Sequence, residues 1–299
     1  MLAAAVLQAV ALLVLGAAAG RLTHAAWPQH APGPALLLWQ ALGLSGGLLA
    51  LEVAATVALA PLGPTHARAL AALPAPVPWW AALAGLVGLA VLLRLCAVLL
   101  TSSVRTLRAR HRHRVLVDLV ATRNPLLRAT HVVDHDVPVA YCLPGLRPRV
   151  VVSRGVLTTL DEDELRAVVE HELAHVVQRH DLVVLPFVAL GATFPWLPLV
   201  RRAREQVALL VEVLADDRAV RLHDRRALAR ALCKVGGAPA PAGGLGAAGS
   251  SVGTSGVLQR AARLLEPPAP LPPGRTALVL ATAAGVALLP VLGLLVPVL

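Results

Sequence analysis

The sequence predicts an α-helical membrane protein of about four transmembrane helices, with an α+β domain inserted before the last of them. Hydrophobic residues make up 57% of the 299 positions, above the roughly 45–50% that is usual in soluble domains. Five stretches are nearly continuous in Ala, Leu and Val, and each is close to the roughly 20 residues that a spanning helix needs. These stretches are residues 2–20, 35–60, 78–100, 182–200 and 276–299.

The basic residues that follow the third apolar stretch predict the orientation. They are Arg105, Arg108, Arg110, Arg112 and Arg114. Basic residues close to a helix end mark the cytoplasmic side. We therefore expect a multi-pass protein of the bacterial cytoplasmic (inner) membrane, with the inserted domain in the cytoplasm and both termini outside. The first stretch has no basic residues before it, so we expect an uncleaved helix rather than a signal peptide.

The net charge of the chain does not predict a nucleic-acid partner. The charge of +10 comes almost wholly from arginine, since Lys234 is the only lysine. A chain this rich in Ala and Arg is typical of a GC-rich bacterial genome. No basic run is interleaved with aromatic residues, as the surface of a nucleic-acid-binding protein would be. We expect the lipid bilayer and a protein substrate as partners; the sequence does not predict the oligomeric state.

Three regions follow from this pattern. Residues 1–100 are predicted to hold three transmembrane helices, residues 101–274 the cytoplasmic domain, and residues 275–299 the last transmembrane helix. The second region contains a Gly-, Ala-, Pro- and Ser-rich stretch at 236–256 that is typical of a flexible loop.

Local patterns predict the elements of the cytoplasmic domain. The run Arg149–Ser153 (RVVVS) is typical of a short strand. Asp161 and Glu164 are spaced as a capping box and predict the start of a helix that continues past residue 175. A second helix is predicted from Arg202 to about Val220, where acidic residues interrupt an apolar run.

The string His171-Glu172-Leu173-Ala174-His175 carries the main chemical signal. Residues four apart lie on one face of a helix, so two imidazoles can bind one zinc ion while Glu172 reaches a water molecule beside it. Zinc with three protein ligands keeps a fourth position open and polarises a carbonyl group, and Glu172 is then the general base. The alternative is a solvated helix face with incidental histidines.

A third ligand is available in the sequence ALLVEVLADDRAV. Glu212 and Asp216 are also four residues apart. We predict that Glu212 binds the metal and that Asp216 accepts the other ring N–H of a ligand histidine. The alternative for Glu212 is an ordinary exposed helix acid. One Zn²⁺ per chain is expected.

This ligand set constrains the apolar stretch 182–200. If that stretch crossed the membrane, His175 and Glu212 would lie on opposite faces and could not share a metal. The zinc interpretation therefore predicts a re-entrant or interfacial hairpin, or a buried core helix.

Other polar residues give weaker signals. A donor to the developing oxyanion is expected near the zinc, and the candidates are Arg218, Arg221, His223 and Tyr141. Strand Arg149–Ser153 is either the edge that pairs with a substrate or an interior strand. Glu52 and Arg94 lie in predicted spans at different depths, so we expect no salt bridge between them. Five histidines are expected to be solvated: His111, His113, His131, His135 and His180.

The run AYCLPGLRPRVVVSRGVLTTLDEDELRAVVEHELAH, followed by EVLADDRAV, resembles the membrane metallopeptidases of the BlaR/MecR type (metallopeptidase family 56). It is more distantly similar to the HtpX and CAAX-prenyl endopeptidase group. The resemblance covers residues 105–234 and the arrangement of spans. It implies a gluzincin-like α+β zinc peptidase domain at the cytoplasmic face. It also implies the roles of zinc ligand for His171, His175 and Glu212, catalytic base for Glu172, and support of a ligand for Asp216.

The sequence departs from the antibiotic sensors of that family. It ends at Leu299 without their penicillin-binding domain, and Ala231 stands where a Ser-x-x-Lys motif ending at Lys234 would need serine. We therefore expect no direct sensing of β-lactams. The leading hypothesis is a regulatory protease that cleaves a cytoplasmic protein such as a transcriptional repressor. The alternatives are an HtpX-like quality-control protease and a non-catalytic membrane scaffold.

Overall fold

The computed structural model describes residues 1–73, 75–123, 130–143, 149–235 and 253–295. Four helices in these ranges are long and apolar enough to cross a membrane. They are α1 (Leu2–Leu22), α2 (Pro32–Leu59), α4 (Trp79–Val120) and α11 (Pro273–Leu295); a 3-10 turn (Trp27–Gln29) precedes α2, and the short α3 (His66–Ala71) follows it. A further bent helix pair would raise the number of crossings to five. The number four, and the domain boundaries drawn from it, stay predictions.

Helix α2 is the centre of the apolar bundle. It packs against α1, α4 and α11. Two hydrogen bonds attach α11 to its neighbours through its backbone carbonyls. Gln8 of α1 donates to Gly293 at 2.9 Å, and Ser45 of α2 donates to Val286 at 2.7 Å. Such bonds satisfy polar groups that would otherwise lie unpaired among apolar side chains.

Helix α4 continues well beyond the predicted end of the third span. It has 42 residues, whereas the sequence predicted a span at 78–100 followed by a separate globular piece. Residues 101–120 contain no Gly or Pro, so nothing interrupts the helix when the sequence becomes polar. Its last turns pack through Val117 on Tyr141 and Val151. The helix therefore joins the membrane bundle directly to the sheet.

The sheet has four strands in the order β1-β2-β4-β3. They are β1 (Thr122–Arg123), β2 (Thr130–Val133), β3 (Ala140–Leu143) and β4 (Arg149–Ser153). β4 runs parallel to β2 and antiparallel to β3. The predicted strand is confirmed, and of its two interpretations the interior one is correct, because β4 is bonded on both sides. β3 is the edge strand at that end of the sheet.

Four helices form the rest of the domain around α6 (Glu162–Val177). They are α5 (Arg154–Thr159), α8 (Pro198–Ala219), α9 (Arg225–Val235) and α10 (Gly253–Leu265). Helix α6 contacts β3, α8 and α9. The predicted second helix is confirmed as α8, which begins four residues earlier than expected, at a proline that suits the first turn.

The predicted flexible loop at 236–256 is wrong at its end. Residues 253–256 form the first turn of α10, while 236–252 lie outside the described residues. Val257, Ala261 and Leu264 repeat at helical spacing; Val257 and Leu264 pack with the core around α9, and Ala261 is buried. This apolar stripe outweighs the Gly- and Ser-rich composition just before it.

Most of the apolar stretch 182–200 is helical, and it forms a helical hairpin with α8. Helix α7 (His180–Thr193) is bent by 67° from α6 and packs against α8, which returns beside it. Both ends of α7 are tied to α4: Arg110 pairs with Asp181 at 3.0 Å, and Arg94 donates to the backbone carbonyls of Ala192 and Thr193 at 3.2 Å. The hairpin keeps α6 and α8 together, and its re-entrant position in the bilayer stays a prediction.

The predicted capping box is confirmed and gives a stability prediction. Glu164 bonds the Asp161 backbone N–H, and its side chain also contacts Lys234 at 2.6 Å and Arg230 at 3.1 Å. Replacing Glu164 with glutamine should lower the free energy of unfolding by about 1–3 kcal/mol, because the cap weakens and two cations lose their acceptor. Thermal unfolding in detergent, monitored by circular dichroism, measures this loss.

The same carboxylate sets a pH dependence. Burial raises the pKa of Glu164, but contacts with Lys234, the Asp161 backbone and Arg230 outweigh burial and hold the pKa below its ordinary value of 4.5. A lowered pKa gives stability that is complete above pH 4.5 and is lost as the pH falls through the lower, folded-state value. We expect the Glu164→Gln protein to lose less stability than wild type below pH 4.5. An equal loss in both proteins would contradict this assignment.

Candidate metal centre

Helix α6 places the two predicted ligand histidines side by side. The Nε2 atoms of His171 and His175 are 3.2 Å apart, and both rings are buried. The capping box fixes where α6 begins, and packing of α6 on β3 and α8 fixes which face turns inward. Glu172 is buried next to them and is 7% exposed.

Helix α8 brings Glu212 to the same point. Its Oε2 atom lies 3.4 Å from His171 Nε2, and its Oε1 atom lies 3.5 Å from His175 Nε2. One ligand atom from each of the three residues lies within 4.8 Å of the other two. The structure thus brings together the three residues that the sequence predicted as ligands, although 36 residues lie between His175 and Glu212 in the sequence.

The chemistry of this cluster fits a zinc ion. Two imidazole nitrogens and one carboxylate are zinc ligands, and a set of three leaves a coordination position open for substrate or water. Charge leads to the same conclusion. Glu172, Glu212 and Asp216 are three buried carboxylates, and Arg260 is the buried guanidinium that faces them. With all three acids ionised and the His171 ring neutral, the cluster carries two more negative than positive charges, which matches a divalent cation.

Asp216 lies where the sequence predicted it. Its Oδ1 atom is 2.9 Å from Nδ1 of His171, on the side of the ring away from Glu212. The carboxylate lies close to the His171 ring, but the geometry is not that of a hydrogen bond, and Nδ1 has no hydrogen-bond partner within the described residues. A carboxylate in this position is suited to orient a ligand histidine and to keep its proton on Nδ1.

Arg260 is the residue of this centre that sequence reasoning missed. Its Nε and Nη2 atoms donate to the two carboxylate oxygens of Asp216 at 2.8 and 2.7 Å, and its Nη1 atom lies 2.8 Å from Glu212 Oε2. The guanidinium therefore holds the carboxylates of Glu212 and Asp216 in place. It comes from α10, 44 residues beyond Asp216, and the apolar stripe of α10 was the one signal that could have placed it.

Buried charges shift the pKa values of the acids in the centre. Burial raises the pKa of Glu212 and of Asp216, but Arg260 and the histidines outweigh burial and hold both values below their ordinary range. Burial raises the pKa of Glu172 to about 7, and the charge of Glu212 adds to this shift. A base with a pKa near neutrality is suited to accept and return a proton.

The two histidines differ in protonation. Burial lowers the pKa of His175 to about 3, so its ring is neutral and available as a ligand. Burial also lowers the pKa of His171, but contacts with Asp216 and Glu212 outweigh burial and raise it to about 10. A metal ion entering the cluster must displace this proton.

The predicted candidates for the oxyanion donor lie elsewhere in the structure. Tyr141 is hydrogen-bonded to His113 at 2.6 Å, and Arg218 pairs with Glu170 at 3.3 Å. Arg221 is exposed and His223 is half-buried beyond the end of α8. Among the described residues, Arg260 is the arginine that reaches the cluster.

The prediction that five histidines are solvated is wrong for three of them, His180, His113 and His131; His131 is half-buried, with a buried Nδ1 atom. His180 is 3% exposed, and its Nδ1 atom lies 2.9 Å from Nδ1 of His175. His113 is half-buried against Tyr141. The reason for His180 is the turn at Arg179, whose left-handed backbone (φ 52°) directs the next residue back toward α6.

Comparison with known proteins points to one family. Residues 106–215 match the model of peptidase family M48. The matched region runs from the last turns of α4 to Ala215, and so includes the sheet, the two histidines, Glu172 and Glu212. Peptidases of this family are zinc-dependent.

One curated relative gives a further, local similarity. The protease HtpX homolog of Methanothermobacter thermautotrophicus is 49% identical over 41 residues, which is 14% of this chain and 16% of the relative. No solved structure matches the chain. The family match and this similarity relate part of the chain to M48 peptidases. Assignment to the BlaR/MecR group stays a prediction.

Proposed function

We propose that this chain is a membrane-embedded zinc endopeptidase that hydrolyses peptide bonds at the cytoplasmic face of the inner membrane. The observation that carries the proposal is the convergence of His171, His175 and Glu212 with Glu172 buried beside them. A purely structural metal site needs no adjacent base. The arginine-rich end of α4 and the contact of that end with the sheet support the cytoplasmic orientation.

In this mechanism the protein holds the reactants and moves one proton. Bound zinc supplies Lewis-acid polarisation of the scissile carbonyl and of the attacking water. The Glu172 carboxylate takes a proton from that water and returns it to the leaving amine. Asp216 lies beside Nδ1 of the His171 ring, where it would orient that ligand, and Arg260 holds the Glu212 carboxylate. One water is consumed: its hydroxyl group bonds to the carbonyl carbon, the C–N bond breaks, and its proton goes to the amine nitrogen, so a new carboxyl end and a new amino end form.

Strand β3 connects the sheet to the metal cluster. Among the described residues it pairs with β4 alone, and it packs against α6, which carries the metal ligands. Tyr141, Cys142 and Leu143 are buried, so a substrate strand could add to this edge only after the residues that cover it move. The thiol of Cys142 on this strand contacts Glu172, so β3 leads directly to the proposed base.

Metal removal tests the proposal. The purified full-length protein in detergent micelles should cleave an unfolded protein such as casein, should lose this activity when a chelator removes the metal, and should regain it with added zinc. The His175→Ala protein should bind no zinc and should not be rescued. Cleavage that persists in metal-free wild-type protein, or a wild-type protein that retains no zinc, would refute the proposal.

Two substrate classes are distinguished by a separate experiment. We favour cleavage of a cytoplasmic regulator such as a transcriptional repressor, and the similarity to an HtpX homolog favours quality control of membrane proteins as the second candidate. Comparing the proteomes of wild-type cells and cells with the Glu172→Ala protein separates them. A regulator predicts that one cytoplasmic protein accumulates and its target genes change, whereas quality control predicts that many membrane proteins accumulate.

A further inference from the structure

His180 is buried against the ligand His175 and has no role in the mechanism described above. The two rings meet edge to face, with centroids 4.9 Å apart and an angle of 80° between their planes. Their Nδ1 atoms are 2.9 Å apart, which is a hydrogen-bond distance. We propose that His180 is a positioning residue that accepts the Nδ1–H of His175 and so directs His175 Nε2 to the metal. This inference rests on the proposed zinc site.

The direction of the hydrogen bond follows from the position of the other nitrogen of His175. Its Nε2 atom lies in the cluster, 3.2 Å from His171 Nε2 and 3.5 Å from Glu212 Oε1. A metal ligand must present a lone pair, so Nε2 of His175 carries no proton and its Nδ1 carries one. Nδ1 of His180 is therefore the acceptor, and the proton of the His180 ring is on Nε2.

That remaining N–H of His180 makes the arrangement costly. Its Nε2 atom is buried and has no hydrogen-bond partner within the described residues. A buried donor without a partner costs free energy, and such groups in folded proteins call for a reason. An apolar side chain at residue 180 would avoid this cost, so the imidazole is retained for its other nitrogen, the one that contacts His175.

The backbone is arranged to make this contact. On a continuous helix, residue 180 would lie roughly 140° around the axis from residue 175 and would face away from it. The turn after α6 prevents this, because Arg179 adopts a left-handed conformation that residues other than glycine rarely take. The chain then starts α7 at His180 in a direction bent by 67° from α6. This unfavourable conformation occurs at the residue that turns the imidazole toward His175.

Helix α7 holds His180 in a fixed place. Asp181, the next residue, pairs with Arg110 of α4 at 3.0 Å, and Arg94 of α4 bonds the carbonyls at the other end of α7. The two ligand histidines are therefore supported differently. His171 has a carboxylate partner, Asp216, which Arg260 holds in turn, whereas His175 has a neutral imidazole anchored to a membrane helix.

Zinc affinity of the full-length protein in detergent micelles tests the inference. Metal-free wild type and variants are titrated with zinc against a chromophoric chelator. His180→Leu removes the acceptor, and we expect the affinity to fall about 10- to 100-fold, the usual effect of losing a partner of a ligand histidine. His180→Asn can place its side-chain oxygen near the position of Nδ1 and should stay within about threefold of wild type. Phe187→Leu, on the same helix, is the packing control and should bind as wild type does.

The visible absorption spectrum of the cobalt-substituted protein is a second measurement. It reports the geometry of the metal ligands, which a general loss of packing would not change. Cobalt substituted for zinc should give a visible absorption band that shifts in His180→Leu and is restored in His180→Asn. If His180→Leu does not fold, His180→Gln replaces it, because the oxygen of its longer side chain reaches the Nε2 position and should not rescue. Equal affinities in wild type and His180→Leu, or equal losses in the Asn and Leu proteins, would overturn the inference while leaving the zinc site intact. A wild-type protein that binds no zinc would overturn the proposed function as well.

Discussion

Replacing Glu172 with glutamine is expected to reduce peptide hydrolysis by a factor of about 10² to 10⁴ while the metal stays bound. The amide keeps the size of the side chain but cannot take a proton from water. His171, His175 and Glu212, which hold the metal in our proposal, are unchanged. The measurement is the initial rate of cleavage of a quenched fluorescent peptide at saturating zinc, together with the zinc content of each protein by atomic absorption.

Glu170 provides the matched control for this substitution. It lies two residues earlier on α6 and pairs with Arg218 at 3.3 Å, away from the cluster. Glu170→Gln makes the same chemical change on the same helix and should keep activity within about threefold of wild type, because a partly exposed ion pair contributes little. A Glu172→Gln protein that retains a tenth or more of wild-type activity would remove Glu172 from the role of base.

Sequence spacing predicted the parts of the site that one helix determines. His171 and His175, like Glu212 and Asp216, are four residues apart, and the helical period alone puts each pair on one face. The capping residues before His171 also marked where α6 begins. These features are local, so the sequence is sufficient to find them.

What sequence reasoning missed depends on contacts between distant elements or on an unusual turn. Arg260 lies in a helix that follows a Gly-rich stretch, and no spacing rule relates it to Asp216. His180 was expected in solvent because its spacing forms no helical or strand pair with a matching acid; the left-handed turn at Arg179 instead brings its ring to His175. The interior position of β4 depends on the order of the strands, which the strand's own sequence does not contain.

Replacing Arg260 with leucine is expected to destabilise the metal-free protein by about 3–5 kcal/mol. This is the usual cost of removing one partner from a buried ion pair. The guanidinium is 7% exposed and contacts both Asp216 and Glu212. Without it, the protonated His171 ring is the one cation that remains beside these two buried carboxylates within the described residues. Thermal unfolding in detergent measures the loss.

The zinc-loaded protein should be less sensitive to the same substitution. A bound dication supplies positive charge beside Glu212, so the acids are no longer uncompensated when Arg260 is removed. Zinc should therefore raise the melting temperature of Arg260→Leu by more than it raises that of wild type. Arg260→Lys keeps the charge without the two parallel hydrogen bonds to Asp216 and should give an intermediate loss.

Arg263 provides the comparison on the same helix. It forms a similar paired contact with Asp217, the neighbour of Asp216, but Asp217 is 30% exposed and the pair lies outside the metal cluster. Arg263→Leu should cost about 1 kcal/mol or less, with the same loss in metal-free and zinc-loaded protein. If the two leucine variants lose equal stability, and zinc does not separate them, Arg260 has no special part in balancing the charge of the metal centre. A larger loss for Arg260→Leu that zinc partly restores would show that the guanidinium and the metal compensate the same buried acids.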